Sequence, residues 1–168
     1  MRAGKGSCGS VVEHSLGKGE AESSILSGST IRKTKMRVGI TGTRNPITDK
    51  QVMEIVAFLN TLPEGSELHH GDCLGADHAV AKLASYLGIK TICHPPERDE
   101  LRAYHESTET RDPRSYLARN RNIVGAVGLL MVVPMQDEWQ PMGGTWYTHD
   151  YAKKKNVPVK MFWPNKPA

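Results

Sequence analysis

From Met36 onward the chain alternates short β-branched runs with stretches of helical hydrophobic spacing. Residues 37–41 (RVGIT) read as a strand. Thr48-Asp49 offers an N-cap, and Val52, Ile55, Val56, Leu59 and Leu62 follow at helical intervals. A Pro-Glu-Gly turn precedes a short strand at 67–70. Residues 76–87 (ADHAVAKLASYL) predict an amphipathic helix stopped by Gly88, and 90–94 (KTICH) a strand stopped by Pro95-Pro96. The charged, turn-rich segment 96–114 has no clear period, and a loop of that length in a compact domain usually serves function. A helix over 116–124 leads into 127–133 (VGLLMVV), a continuous apolar run expected of a strand buried on both faces. Residues 134–141 form a loop, 145–155 a helix ending in three lysines, and 157–162 a last strand.

Strands alternating with helices predict an α/β fold: a Rossmann-like three-layer sandwich in a single domain. The order suits about five parallel strands arranged 3-2-1-4-5. The strand order then reverses between the first and fourth strands. Ligands of such sheets bind at that point, at the carboxyl ends of the strands.

Residues 1–35 differ in texture. They are rich in Gly, Ser, Lys and Glu and lack the periodicity that would bury a face, so they read as a disordered leader. Ser23-Ser24-Ile25-Leu26 can be encoded as AGT-TCG-ATT-CTC, which contains the T-loop sequence GTTCGATTC of a tRNA gene. Gly28-Ser29-Thr30 can follow as an acceptor-stem ending. On that reading the leader is a tRNA gene read as protein, the true start is Met36, and the domain spans 36–168.

The leader also accounts for most of the charge. The whole chain carries a formal +4, whereas residues 36–168 hold 16 basic and 15 acidic residues. A near-neutral domain argues against nucleic acid as the partner. No apolar run is long enough to span a bilayer. Three irregularly spaced cysteines and no secretory signal make the cytoplasm the expected compartment.

Two glycine-bearing loops meet at the predicted switch point. The first strand ends in Gly39-Ile40-Thr41-Gly42-Thr43-Arg44, and the fourth feeds Gly143-Gly144-Thr145. Glycines let backbone N–H groups approach a phosphate, a helix N-terminus adds partial positive charge, and Arg44 can pair with phosphate oxygens. The plain alternative is that the glycines serve tight turns. An anionic ligand is the favoured reading. Neither loop is a GxGxxG fingerprint and no GxxxxGK[ST] motif occurs, so NAD and P-loop nucleotide chemistry are set aside.

The second strand runs into His69-His70-Gly71-Asp72-Cys73-Leu74-Gly75-Ala76-Asp77-His78. Asp72 or Asp77 suits the vicinal hydroxyls of a ribose. No two potential ligands stand at a recognised zinc spacing, so no metal and no cofactor are expected. Arg119 and Asn120 lie on the helix before the buried strand, where they either reach the ligand or form a solvated face. Trp146 adjoins the glycine loop and is the best candidate to stack on a base, with packing in the core as the alternative.

GITGTR, the HGDCLGAD loop, Arg119-Asn120 and GGTWYTHDYAKKKNVPV together resemble the SLOG superfamily. These are Rossmann-like nucleotide-binding proteins related to the DNA-processing protein DprA and the "lonely guy" enzymes. Within it the chain is similar to the small YspA/YpsA-like bacterial and phage families. The resemblance implies a nucleotide or nucleotide-derived ligand between the first and fourth strands, and a homo-oligomer. Some relatives cleave the N-glycosidic bond of nucleoside monophosphates with the Glu of a PGGxGTxxE motif. Aligning Gly144-Thr145 on its GT puts Thr148 at the Glu, which argues for a binding module, sensor or sequestering protein over a hydrolase. Asp72 and Glu138 are the candidates for a substitute carboxylate. DprA-like single-stranded DNA binding is the third reading.

Overall fold

The computed structural model describes residues 33–167. The reading of 1–35 as a disordered leader therefore falls almost wholly outside the described residues.

Among these, the strands β1 (Arg37–Gly42), β2 (Glu67–His70), β3 (Lys90–Cys93), β4 (Glu109–Thr110), β5 (Leu129–Val133) and β6 (Val159–Met161) form one parallel sheet in the order β4-β3-β2-β1-β5-β6. The expected 3-2-1-4-5 arrangement is present as β3-β2-β1-β5-β6. The addition is β4, a two-residue edge strand inside the segment read as loop. Its sequence, Glu-Thr, is too short to show a period of two.

Helix α1 (Asp49–Leu59) and α2 (Ala76–Tyr86) cover one face, α3 (Tyr116–Ala126) and α4 (Gly144–Lys154) the other. Successive strand residues point to opposite faces, and β5 shows the result. Met131 and Val133 join Ile55, Leu59, Val80 and Ala84 in one core, while Leu130 and Val132 join Ile123, Val124 and Ala152 in the other. β5 begins at Leu129 and not at Val127, because Val127 is the C-cap of α3 and the Gly128 amide donates to Arg37. On β1, Gly39 faces the α3 layer: a Cβ there would stand 2.9 Å from Ile123, so the glycine lets α3 sit close.

Thr48 and Gln51 close the start of α1 with a reciprocal capping box. The buried amide of Gln51 also donates to the carbonyls of Pro134 and Phe162, tying α1 to the ends of β5 and β6. α2, α3 and α4 have no side-chain cap. Every helix runs back along its parallel strand, so these three open N-termini lie at the carboxyl edge of the sheet.

Candidate functional site

Three hollows adjoin along that edge. The central one, about 310 Å³, is lined by Gly42, Thr43, Arg44, Tyr116, Gly144 and Thr145. It lies where the strand order reverses between β1 and β5. It shares Arg44 and Tyr116 with a larger cleft of about 570 Å³ whose walls include Cys73, Glu97, Glu100, Leu101 and Leu117. On the other side it shares Thr43 and Thr145 with a hollow of about 460 Å³ walled by the 134–143 loop and Trp146.

Close backbone approach builds the central hollow. A Cβ on Gly42 would press on Ala76 and Val133. Gly75 has φ +85°, and a Cβ there would run into the backbone of Thr43 and Arg44. The Ala76 amide donates to the Thr43 carbonyl (2.8 Å) and the Thr43 amide to Val133 (2.9 Å), locking the three loops together. Gly144 lies beneath Tyr116, whose hydroxyl occupies the place a Cβ would take. The Tyr116 ring stands between two guanidinium groups, Arg44 at 5.4 Å and Arg119 at 5.1 Å from its centroid.

The expected residues thus divide. Gly42, Thr43, Arg44, Gly143, Gly144, Thr145 and Trp146 line the central hollow or its uncharged neighbour. Trp146 is only 5% exposed and packs 6.1 Å from Trp163, so core packing dominates its role. Gly39 and Thr41 are buried within β1.

Asp72 is fully buried at φ +57°. It accepts from Arg102 Nε and from the His105 amide, each at 2.9 Å, so it anchors the 102–105 strap and has no free oxygen for a ribose. Asp77 accepts from the Gly71 amide (2.9 Å) and lies 3.8 Å from Arg119 Nη1. Burial pushes the Asp77 carboxyl up, against Arg119 and the amides of Gly71 and Cys73. Burial likewise opposes the charge of Arg119, but Asp77 and the Cys73 sulfur outweigh it and its pKa lies above the usual value. A Cβ on Gly71 would collide with this guanidinium. Arg119 and Asn120 are both buried. Asn120 donates to Thr148 Oγ1 (2.8 Å), which in turn donates to the Gly144 carbonyl (2.8 Å). Thr148, at the position of the hydrolase Glu, is a link between α3 and α4. Glu138 is exposed on the 134–143 loop and lines none of the three hollows.

Sequence reading missed Tyr116 and the wall supplied by residues 96–101. An aromatic at the first position of a helix, straight after a long charged loop, is the signal that was available.

His70, Asp72 and Cys93 bring metal-type donor atoms within 4.8 Å of one another. Two of the three are engaged: His70 Nδ1 accepts from the Asp72 amide, Nε2 bonds Ser107 Oγ, and Asp72 holds Arg102. Burial pushes the Cys93 thiol up to about 12 and the His70 imidazole down to about 3. These are a protonated thiol and a neutral imidazole in a packed interior. A cation there would have to displace Arg102.

No protein-family model and no curated protein matches the chain. Solved structures do. The molybdenum cofactor binding protein from Rippkaea orientalis superposes with TM-score 0.59 at 17% identity, over 76% of each chain. The Moco carrier protein from Chlamydomonas reinhardtii gives 0.54 at 24%, over 80% of this chain and 79% of that one. DNA processing protein A from Helicobacter pylori gives 0.56 at 20%, over 76% of this chain, which spans 65% of the length of that protein. These likenesses show the fold: a Rossmann-type parallel α/β sandwich shared with DNA processing protein A and the Moco carrier proteins, as the motifs imply.

Proposed function

We propose that the chain binds a nucleotide or nucleotide-derived small molecule through its phosphate, as a sensor or sequestering module. The central hollow carries this reading. It joins an exposed arginine, two threonine hydroxyls and the uncapped N-terminus of α4, and no carboxylate lines it. The first amides of a helix point at such a site with partial positive charge, and a guanidinium pairs with phosphate oxygens in a fork. α1, by contrast, is closed by its own capping box and offers no such site. The neighbours named for binding or carrying the molybdenum cofactor support a role in holding a small molecule.

Turnover is the second reading. Asp72, Asp77 and Thr148 are committed to internal bonds, so cleavage of an N-glycosidic bond would draw on Glu97 or Glu100 in the adjoining cleft. Single-stranded DNA is the third, supported by the DNA processing protein among the neighbours.

Calorimetric titration with AMP, GMP and ribose 5-phosphate, chromatography of the mixtures for free base, and a gel shift with oligonucleotide separate the three. Binding that Arg44→Ala weakens at least about tenfold without release of base is expected. Affinity unchanged in Arg44→Ala would sink the phosphate site. Base released at a rate lost in Glu97→Gln or Glu100→Gln would establish the enzyme.

A further inference from the structure

The central hollow has two exits, and both lead to room for an organic group. At Arg44 and Tyr116 it adjoins the cleft of about 570 Å³, with Pro96, Leu101 and Leu117 as apolar wall and Glu97, Arg98 and Glu100 as its further charged residues. Through Thr43 and Thr145 it opens on the hollow of about 460 Å³, lined by Met135, Gln136, Gln140 and Met142 without a charged side chain. Each flank falls within the usual range for small-molecule sites.

We infer that the ligand is two-armed: a phosphodiester or diphosphate seated in the central hollow, with an organic group in each flank. This rests on the phosphate reading above and names its ligand class. A terminal phosphate is dianionic near pH 7 and presents three oxygens, so it fits a pocket closed at its far end and rich in cations. A bridging phosphate carries one charge, presents two free oxygens and continues as chain on both sides. The central hollow matches the second description. Arg44 is the one cationic side chain on its wall, and neither end is closed.

The flanks also differ in chemistry, so the two arms are not equivalent. Glu97 and Glu100 suit an arm with N–H donors, such as an aminated base, and Arg98 beside them can donate to an acceptor on the same arm. Gln136 and Gln140 offer donors and acceptors to a hydroxylated arm such as a sugar, beside methionines that adapt to shape. Tyr116 lines both the charged flank and the centre, so it contacts the ligand where one passes into the other.

The test is titration of the full chain with ADP-ribose, adenylyl-(3′→5′)-adenosine, AMP and ribose 5-phosphate. ADP-ribose or the dinucleoside monophosphate is expected to bind at least about tenfold more tightly than either one-armed compound. The better of the two tells diphosphate from monophosphodiester. Leu117→Ser in one flank and Gln140→Ala in the other are each expected to weaken the two-armed ligand about fivefold, and only one of them to weaken AMP. AMP or ribose 5-phosphate binding as tightly as both two-armed probes, in an Arg44-dependent manner, would overturn the two-armed ligand and leave the phosphate site standing. No binding by any of the four would overturn both. Circular dichroism of each variant keeps loss of binding distinct from loss of fold.

Discussion

Gly75 tolerates no side chain. Its φ of +85° is strained for any L residue, and a Cβ would enter the backbone of Thr43 and Arg44, which cannot retreat as a flexible side chain would. Gly75→Ala is expected to cost about 2 kcal/mol or more in urea unfolding, and a loss under about 0.5 kcal/mol would show that the β1 loop is free to move. Gly144 behaves differently. Its obstacle is the Tyr116 hydroxyl, a side-chain end that can swing away. Gly144→Val therefore leaves the fold intact but displaces Tyr116 and fills the cradle. Lost binding with an unchanged far-ultraviolet spectrum is the expected result, and unchanged affinity in calorimetry would remove the glycine loop from the site. The Asn120–Thr148 bond is buried at both ends. Thr148→Val strands the Asn120 amide and should destabilise the protein by about 1–3 kcal/mol, read by the same denaturation.

At the scale of elements, the strap between β3 and α3 is held to the sheet by histidines and Asp72. His70 bonds Ser107, and His69 and His94 bond each other at 2.9 Å. The His105 amide and Arg102 both bond Asp72, and Thr91 and Thr108 exchange amide-to-hydroxyl bonds. Burial, then the neighbouring His105, pushes His70 down to about 3. Burial and His69 push His94 down to about 4. A histidine whose folded pKa lies below its unfolded value takes up its proton more readily when unfolded. Stability is therefore full above about pH 6.5 and falls as acidity increases toward pH 4 and below. His70 alone should cost roughly 2 kcal/mol at pH 5 relative to pH 7. Urea midpoints measured from pH 7 to pH 5 check this. A flat profile would mean that the strap detaches and lets the histidines hydrate. Because the strap carries Leu101 and borders the larger flank, the same titration should weaken binding there before the fold is lost.

At the scale of the whole molecule, the sheet begins where the composition changes. The Met36 amide donates to Ser66 and its carbonyl accepts from Glu67, so the first described backbone anchor to the sheet is at that residue, with the Lys35 ammonium 3.8 Å from the Glu67 carboxylate just before it. We propose that a chain started at Met36 is the complete folding unit. It should unfold within about 2 °C of the full-length protein and bind the same ligand, and a drop of about 8 °C or more would assign residues 1–35 a part in the fold. Residues 36–168 hold 16 basic and 15 acidic residues, and we propose that the leader's excess charge supplies any hold on oligonucleotide. Any gel shift seen with the full chain should vanish on that truncation. Among the described residues, no helix is long and apolar enough to cross a membrane.

What the sequence determined by itself was periodicity and punctuation. The hydrophobic spacing of α1 and α2, the apolar run of β5 and the stops at Gly88 and Pro95 are local signals, and local signals survive without a partner. Their alternation of strand and helix suited a Rossmann-like order, and with it the meeting of the β1 and β5 loops at the switch point. Tertiary structure alone decided how the polar residues are used. Asp72 and Asp77 look free on paper, yet Arg102, the His105 amide and the Gly71 amide claim them across gaps of 6 to 33 residues. Thr148 reads as a vacant catalytic position and is a buried tie to Asn120. Tyr116 reads as a helix start and lines both the central hollow and the larger cleft beside it. A buried polar group must find a partner wherever the fold brings one, and that partner has no fixed spacing in the chain.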